Sequence, residues 1–345
     1  MRVTLAIDAM GGDFGPAVVI KGASLALSDY SLDEHGIDYL FYGNFDLIEA
    51  QIKLYPNLAD ISKIIHADSI ITSETRPASA VRLGKKTNMG MAVDAVVSGK
   101  ANAVVSGGNT GAYMALSKVM LKTLEDVDRP AITGIFPTSR GRSVVLDLGA
   151  NIDCSPENLV EFALMGEAFA RLQLGVAQPT VGLLNVGVED LKGNAIVQEA
   201  AVYLRKLIPD NFYGYIEGND IAAGTTDVVV TDGFTGNVVL KTIEGTAKSF
   251  RDVLKNSLSS SIGGKIGYLL AQGAFEQFRQ RIDPSLYNGA PFLGLKGLAI
   301  KSHGGANAVG FANAIKVAIN LVKRDFIQEI EKQLALIDIE GKGPK

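Results

Sequence analysis

Tryptophan is absent from this 345-residue chain, cysteine occurs once (Cys154), and histidine three times (His35, His66, His303). One cysteine excludes an intrachain disulfide framework and fits a reducing cytosol. Three scattered histidines lack ligand spacing, so neither a metal nor a cofactor is expected. No apolar run approaches the roughly 18 residues of a transmembrane helix. Met1 to Asp8 reads as a short strand, not a signal peptide. Charge of neither sign dominates: the formal net charge is -4, which leaves no global nucleic-acid footprint. Nucleotide fingerprints are missing too, with neither G-x-G-x-x-G in a first βα turn nor G-x-x-x-x-G-K-[ST]. A lipase-like G-x-S-x-G elbow is also absent.

What the chain has is glycine, 38 in all, gathered in polar loops after short apolar runs. Val228 to Val230 reads as a strand covered on both faces. Thr231 to Asn237 then forms a polar loop, and Val238 to Glu244 resumes a helical pattern. Such a loop offers free amides at a helix N-terminus, where an anion is stabilised. Val104 to Gly111 repeats its pattern, V-V-[ST]-x-G-x-T-G, so the two loops are candidates for one anion or carbonyl site. Tight βα turns favour Gly, Ser and Thr in any case.

Strand and helix patterns alternate from Val3 onwards, which implies an α/β fold with a doubly wound, mostly parallel sheet. Asp8 and Asp13 flank glycines after the first strand, where ligands bind in open α/β sheets; Asp13 reads equally as a helix cap. Asp153 or Ser155 caps a helix that has Pro156 in its first turn. The polar loops are expected to gather at one sheet edge in a single cleft. Arg82, Lys85 and Lys86 suit a phosphate, an acidic carrier protein, or a merely solvated turn.

Residues 248–281 differ from the rest. Phe250, Leu254, Leu258, Ile262, Ile266, Leu269 and Phe278 recur at helical spacing, with six cations against two acids, and Ser259 to Gly264 reads as the turn of a hairpin. This amphipathic helical hairpin suits an anionic membrane surface, or packing on the body or a second subunit. Residues 1–330 read as one α/β domain, with a helix end and frayed tail over 331–345.

The motifs Asp8-Ala-Met-Gly-Gly-Asp13, Val105 to Ala112, Asp147-Leu-Gly-Ala-Asn151, Leu184 to Asn194, Glu217 to Ile221, Val230 to Lys241 and Ser302 to Gly305 occur in order over about residues 1 to 325. Together they closely resemble the bacterial phosphate acyltransferases of phospholipid synthesis. The resemblance implies a Rossmann-like fold akin to phosphotransacetylases and isocitrate dehydrogenases. It implies a homodimer that moves a long-chain acyl group from acyl carrier protein to inorganic phosphate. It also implies a cytoplasmic protein held peripherally on the inner face of the plasma membrane, with the membrane glycerol-3-phosphate acyltransferase as a further partner. The chain departs from the family at Thr87-Asn88, at Asn288-Gly289 and at Gly305-Ala306.

Phosphate is itself a nucleophile, so the chemistry needs positioning and oxyanion donors rather than a protein nucleophile. Lys192 and Asn194 are candidates for phosphate binding, and Asp232, Thr235 and Asn237 for lining the reacting centre. His303 is the candidate general acid or phosphate ligand, or a structural hydrogen-bonding histidine. Asp8, Gly11, Gly12, Asp13, Gly108, Asn109, Thr110, Asn151, Asn185, Gly233 and Gly236 complete the expected substrate contacts. Competing readings are a phosphotransacetylase of coenzyme A thioesters, a nicotinamide-dependent dehydrogenase and a non-catalytic membrane scaffold.

Overall fold

The computed structural model describes residues 2–28, 36–276 and 283–339. The tail at 340–345, and Phe278, Arg279 and Arg281 of the expected hairpin, lie outside the described residues. The chain begins with β1 (Val3–Asp8), α1 (Pro16–Leu27), β2 (Ile37–Gly43), α2 (Phe45–Ile52), β3 (Ser62–His66), α3 (Pro77–Leu83), α4 (Asn88–Val97), β4 (Ala103–Ser106) and α5 (Thr110–Leu121). It continues with β5 (Ala131–Pro137), β6 (Arg142–Leu146), α6 (Pro156–Leu174), β7 (Val181–Leu184), α7 (Ala195–Leu207), β8 (Phe212–Ile216) and α8 (Gly218–Ala223). Then come β9 (Val228–Val230), α9 (Gly233–Ser259), α10 (Ile262–Leu270), β10 (Ala290–Leu293), β11 (Leu298–Lys301), α11 (Ala308–Lys323) and α12 (Phe326–Ile339).

Local chemistry accounts for the helix starts. Ser155 caps α6 in a reciprocal box with Asn158, and Pro156 sits in its first turn, so Ser155 rather than Asp153 is the cap. Asn109, Asn194, Asp232 and Asn307 each accept an amide N–H from the first turn of α5, α7, α9 and α11. Because Asp232 supplies this cap, α9 starts five residues before its apolar pattern becomes readable at Val238.

Eleven strands form one sheet in the order β3-β2-β1-β4-β11-β10-β5-β6-β9-β7-β8. β1 to β4 and β11 are mutually parallel, as are β6 to β9. Between the groups, β10 is antiparallel to β11 and β5, and β5 is antiparallel to β6. Three successive reversals leave the two groups running in opposite directions. Strands β1, β4 and β11 therefore end at one edge of the sheet, and β6, β9 and β7 at the other. The expected single cleft at one edge is thus corrected to two loop clusters. A pattern of short apolar runs does not encode strand direction, so two antiparallel strands were enough to divide the loops.

The core is continuous on both faces. Val228, Val229 and Val230 are buried, as are thirteen residues of α6, which lies under β6 and β9. The 27-residue α9 spans about 40 Å at 1.5 Å per residue. Val239 and Leu240 in its first turns pack on the core, whereas Phe250, Val253, Ile262, Ile266, Leu269 and Leu270 beyond them are exposed.

Candidate active site

At the first edge a buried carboxylate organises the loops. Asp8 ends β1 in register with Ser106 at the end of β4. Its oxygens accept from Asn88 Nδ2 at 2.5 Å, Ser106 Oγ at 2.6 Å and the Met10 amide at 3.2 Å. Burial pushes the Asp8 pKa up, and these hydrogen bonds hold the rise back. Beside it, at the end of β11, the buried Lys301 ammonium donates to Gly107 O at 3.3 Å and to Ser302 O. Burial pulls its pKa down to about 8; Asp8 and Asp13 oppose the fall, and Lys241 adds to it.

Glycines let three loops close over this network. Gly12 has φ +90°, and a Cβ there would press on Gly304 O. The Asp13 amide donates to Gly304 O at 2.9 Å, tying the β1 loop to the β11 loop. Gly11, Gly12, Gly107, His303 and Gly304 line the resulting cleft. His303 is exposed there, and its Nδ1 accepts the Gly305 amide at 3.0 Å. That contact puts the proton of the neutral ring on Nε2, facing outward as a donor.

The second edge repeats the plan. Asp147 follows β6 just as Asp8 ends β1, and Leu146 pairs with Val230, so Asp147 falls opposite Thr231 as Asp8 falls opposite Ser106. Asp147 is fully buried and accepts the amides of Ile132, Gly149, Ala150 and Asn151. Burial pushes its pKa up against those donors. Outside this core the loop after β7 presents Lys192. Asn185 holds that loop by donating to Gly187 O and Lys192 O at 3.1 and 3.2 Å. Among the described residues the Lys192 ammonium has no ion pair, and the exposed Asn237 amide has no hydrogen-bond partner. Cys154 is buried, with Sγ 3.8 Å from Asn151 O and its thiol pushed up to about 11 by burial.

The geometry gives several of the expected contact residues structural partners within the protein. The two V-V-[ST]-x-G-x-T-G loops follow oppositely directed strands, so they approach from opposite ends of the sheet rather than side by side. Asp8 is sealed beneath the surface and spends its oxygens on protein donors. The Asn109 side chain caps α5 and donates to Ser73 O and Thr75 O, which occupies both hydrogens of its amide nitrogen. Asn151 is buried and donates to Pro130 O and Asp147 Oδ2. Asp232 and Thr235 are bonded to each other at 2.8 Å as a helix cap. Gly233 and Gly236 are packing residues, because a Cβ at Gly233 would meet Asn151 O and one at Gly236 would meet Asp147 O. Gly11 and Gly108 likewise make room for Asp8 and Met89.

What remains open to a ligand is Gly12, Asp13, Thr110 and His303 at the first edge, and Lys192, Asn194 and Asn237 at the second. Helix α9 joins the two groups. It leaves the second edge at Gly233, and by Lys241 its ammonium is close enough to Lys301 to lower that residue's pKa. Those eight residues span about 12 Å. Asn237 and Lys241, four residues apart, share one helix face. Sequence reasoning missed Lys301, Ser106, Asn88 and Asp147 as organising residues. The available signal was a polar residue closing each apolar strand.

The architecture is that of the phosphotransacetylases. A phosphotransacetylase from Streptococcus pyogenes superposes with a TM-score of 0.61 at 16% identity, covering 94% of each chain. A branched-chain phosphotransacylase from Enterococcus faecalis gives 0.56 at 15% identity, covering 93% of this chain and 99% of that one. These likenesses define the fold class. A family model described as "Fatty acid synthesis protein" matches residues 3–329. The phosphate acyltransferase of Rhodospirillum centenum is 52% identical over 97% of this chain and 93% of its own. That of Caulobacter vibrioides is 47% identical over 99% and 96%. The chain belongs to this family and is an enzyme of the acyltransferase class.

Proposed function

We propose that the protein transfers a long-chain acyl group from the thioester of acyl carrier protein to inorganic phosphate, giving acyl phosphate and the free carrier thiol. The name shared by the relatives supports acyl transfer to phosphate. The observation that carries the reading is α9, which links two clusters of anion-stabilising groups while the only cysteine stays buried and protonated. Lys192 and the N-terminus of α7 hold the phosphate, and Asn237 orients it beside α9. A phosphate oxygen attacks the thioester carbon, the tetrahedral oxyanion forms, and the C–S bond breaks. Hydrogen phosphate brings the proton that the departing thiolate takes, so no protein acid is required. His303 therefore serves as an Nε2–H donor to the oxyanion rather than as a general acid; losing one such donor costs about 10²–10³ in rate.

The same proposal covers the setting. Exposed Arg82 and Lys86 beside the first edge suit an acidic carrier protein, while Lys85 is paired with Asp94 at 2.6 Å. Among the described residues no helix is long and apolar enough to cross a membrane. The exposed apolar residues of the α9–α10 hairpin, with Lys248, Arg251, Lys255 and Lys265, suit peripheral attachment to an anionic bilayer. Acyl phosphate would pass there to the membrane glycerol-3-phosphate acyltransferase, from a homodimer on the cytoplasmic face.

The test mixes purified protein with palmitoyl-acyl carrier protein and radiolabelled phosphate. The expected result is a hydroxylamine-labile label appearing one-for-one with carrier thiol. Product only from palmitoyl-coenzyme A would replace the donor, and none from either would overturn the reading. Lys192→Ala should raise the KM for phosphate roughly 10-fold or more, the scale of one charge-assisted contact. A KM equal to wild type would remove Lys192 from the phosphate site.

A further inference from the structure

We propose that Asn288 and Lys301 are positioning residues for His303, clamping the Ser302–His303 peptide at both ends so that the imidazole presents Nε2 to the first-edge cleft. The inference rests on the role read above for His303. The carbonyl of that peptide, Ser302 O, accepts from Lys301 Nζ. Its N–H, on His303, donates to Asn288 Oδ1 at 2.8 Å. One peptide plane is therefore held by two side chains from different strands and loops. Each clamp residue is itself anchored. Asn288 Nδ2 donates to Ser302 Oγ and to Gly310 O, both at 2.8 Å, which ties the clamp to the first turn of α11. Lys301 Nζ also reaches Gly107 O, which ties it to the loop after β4.

Among the described residues the ring has one hydrogen bond of its own, from the Gly305 amide to Nδ1. That contact fixes the tautomer but leaves the peptide free to rotate about its neighbours. Gly304 and Gly305 follow immediately, so the loop has little intrinsic stiffness. Backbone bonds from Asp13 to Gly304 O and from Ala306 to His303 O hold the loop after the ring, and the clamp adds the side-chain hold on the Ser302–His303 plane itself. Lys301 is also a costly way to achieve packing alone. Among the described residues no carboxylate lies within ion-pair distance of this buried ammonium, and its bonds go to two carbonyls. A buried charge so placed is expensive where an apolar side chain would fill the same space. The charges facing it are Asp8, Asp13 and Lys241, and burial has pulled its pKa down to about 8. Above that pH the amine keeps two N–H groups but loses the charge that makes its carbonyl bonds strong.

The experiment compares Asn288→Gly, Lys301→Met, Lys301→Arg, His303→Gln and the Asn288→Gly/His303→Gln double variant, reading kcat and phosphate KM separately against pH. A 1 Å misplacement can cost about 10²-fold, so Asn288→Gly and Lys301→Met should each lose roughly 10–100-fold in kcat with phosphate KM unchanged. Lys301→Arg should recover part of the loss. Wild-type kcat should fall above about pH 8, and the arginine variant, charged throughout, should not follow it. The double variant should be no slower than His303→Gln alone, because a clamp has nothing to position once the imidazole is gone. Independent, multiplying losses would overturn the clamp. Ring-proton spectra separate this from failure of the catalytic reading. With three histidines in the chain, the His303 signals are assigned by their loss in His303→Gln. They should shift and broaden in Asn288→Gly even if His303→Gln turns over normally, and unchanged signals would overturn the clamp by themselves.

Discussion

Replacing Asp147 by alanine should cost about 4–5 kcal/mol of stability, the largest single loss expected in this chain. Its Oδ1 accepts the amides of Ile132, Gly149 and Ala150 at 2.9, 3.2 and 3.0 Å. Its Oδ2 accepts the Asn151 amide at 2.8 Å and Asn151 Nδ2 at 2.9 Å. The group is fully buried, so alanine would strand five donors at once. Each stranded buried donor costs about 1–3 kcal/mol; some would regain water as the loop opened, which keeps the total below the simple sum. Urea unfolding of Asp147→Ala would read the loss as a lower midpoint at unchanged slope. The contrasting variant is Asp232→Ala. That half-buried carboxylate only caps α9, and losing such a cap costs about 1 kcal/mol. Equal losses at the two positions would refute the view that Asp147, and not Asp232, organises this edge.

The contrast also marks what could be read from the residues alone. Asp232 stood out because it sits in a glycine-rich motif, and its chemistry turned out to be that of a helix cap. Asp147 stands in a motif of similar look, Asp147-Leu-Gly-Ala-Asn151, and became an organising residue through contacts made partly outside that motif, with Ile132. Alternating strands and helices and most helix starts were legible, because apolar period and capping residues are local. Strand direction was not. The reversal at β10 and β5 depends on long-range pairing, and it moved Asn109 and Thr110 to the edge opposite Asp232 and Thr235 although their loops match in sequence. Side-chain allegiance was equally hidden. Asn109 and Asn194 both look like polar ligands and both cap helices, but only Asn109 spends its amide nitrogen on neighbouring carbonyls. Lys301 was passed over as the last residue of an apolar strand, since nothing in Leu298-Ala-Ile-Lys301 shows that its ammonium turns inward.

That inward turn has a thermodynamic consequence at alkaline pH. Burial pulls the Lys301 pKa down to about 8 in the folded chain, against 10.5 for a free lysine side chain. Between those values the unfolded chain holds a proton that the folded chain has released. Stability rises with pH wherever the unfolded state binds more protons, so this lysine should add stability from about pH 8 to 10.5. Each pKa unit is worth about 1.4 kcal/mol, and the whole window about 3.5 kcal/mol. Below pH 8 the ammonium is charged in both states, and its desolvation is carried as a constant cost. Other buried groups pull the other way, Tyr42 and Tyr215 among them, since burial raises both phenols. Cys154, raised from 9.0 to about 11, and Tyr113, raised above 10.0, keep protons in the folded state that the unfolded chain gives up, so each lowers stability as pH rises through that range. Wild type alone would show only the compromise. The informative quantity is the stability of wild type minus that of Lys301→Met, from urea unfolding at pH 7, 8, 9 and 10. Cys154 and the buried tyrosines cancel in that difference, which should climb towards wild type by about 2–3 kcal/mol between pH 8 and 10. A difference that stayed flat would mean that the ammonium keeps water in the folded protein, and that the carbonyls of Gly107 and Ser302 are not what holds it.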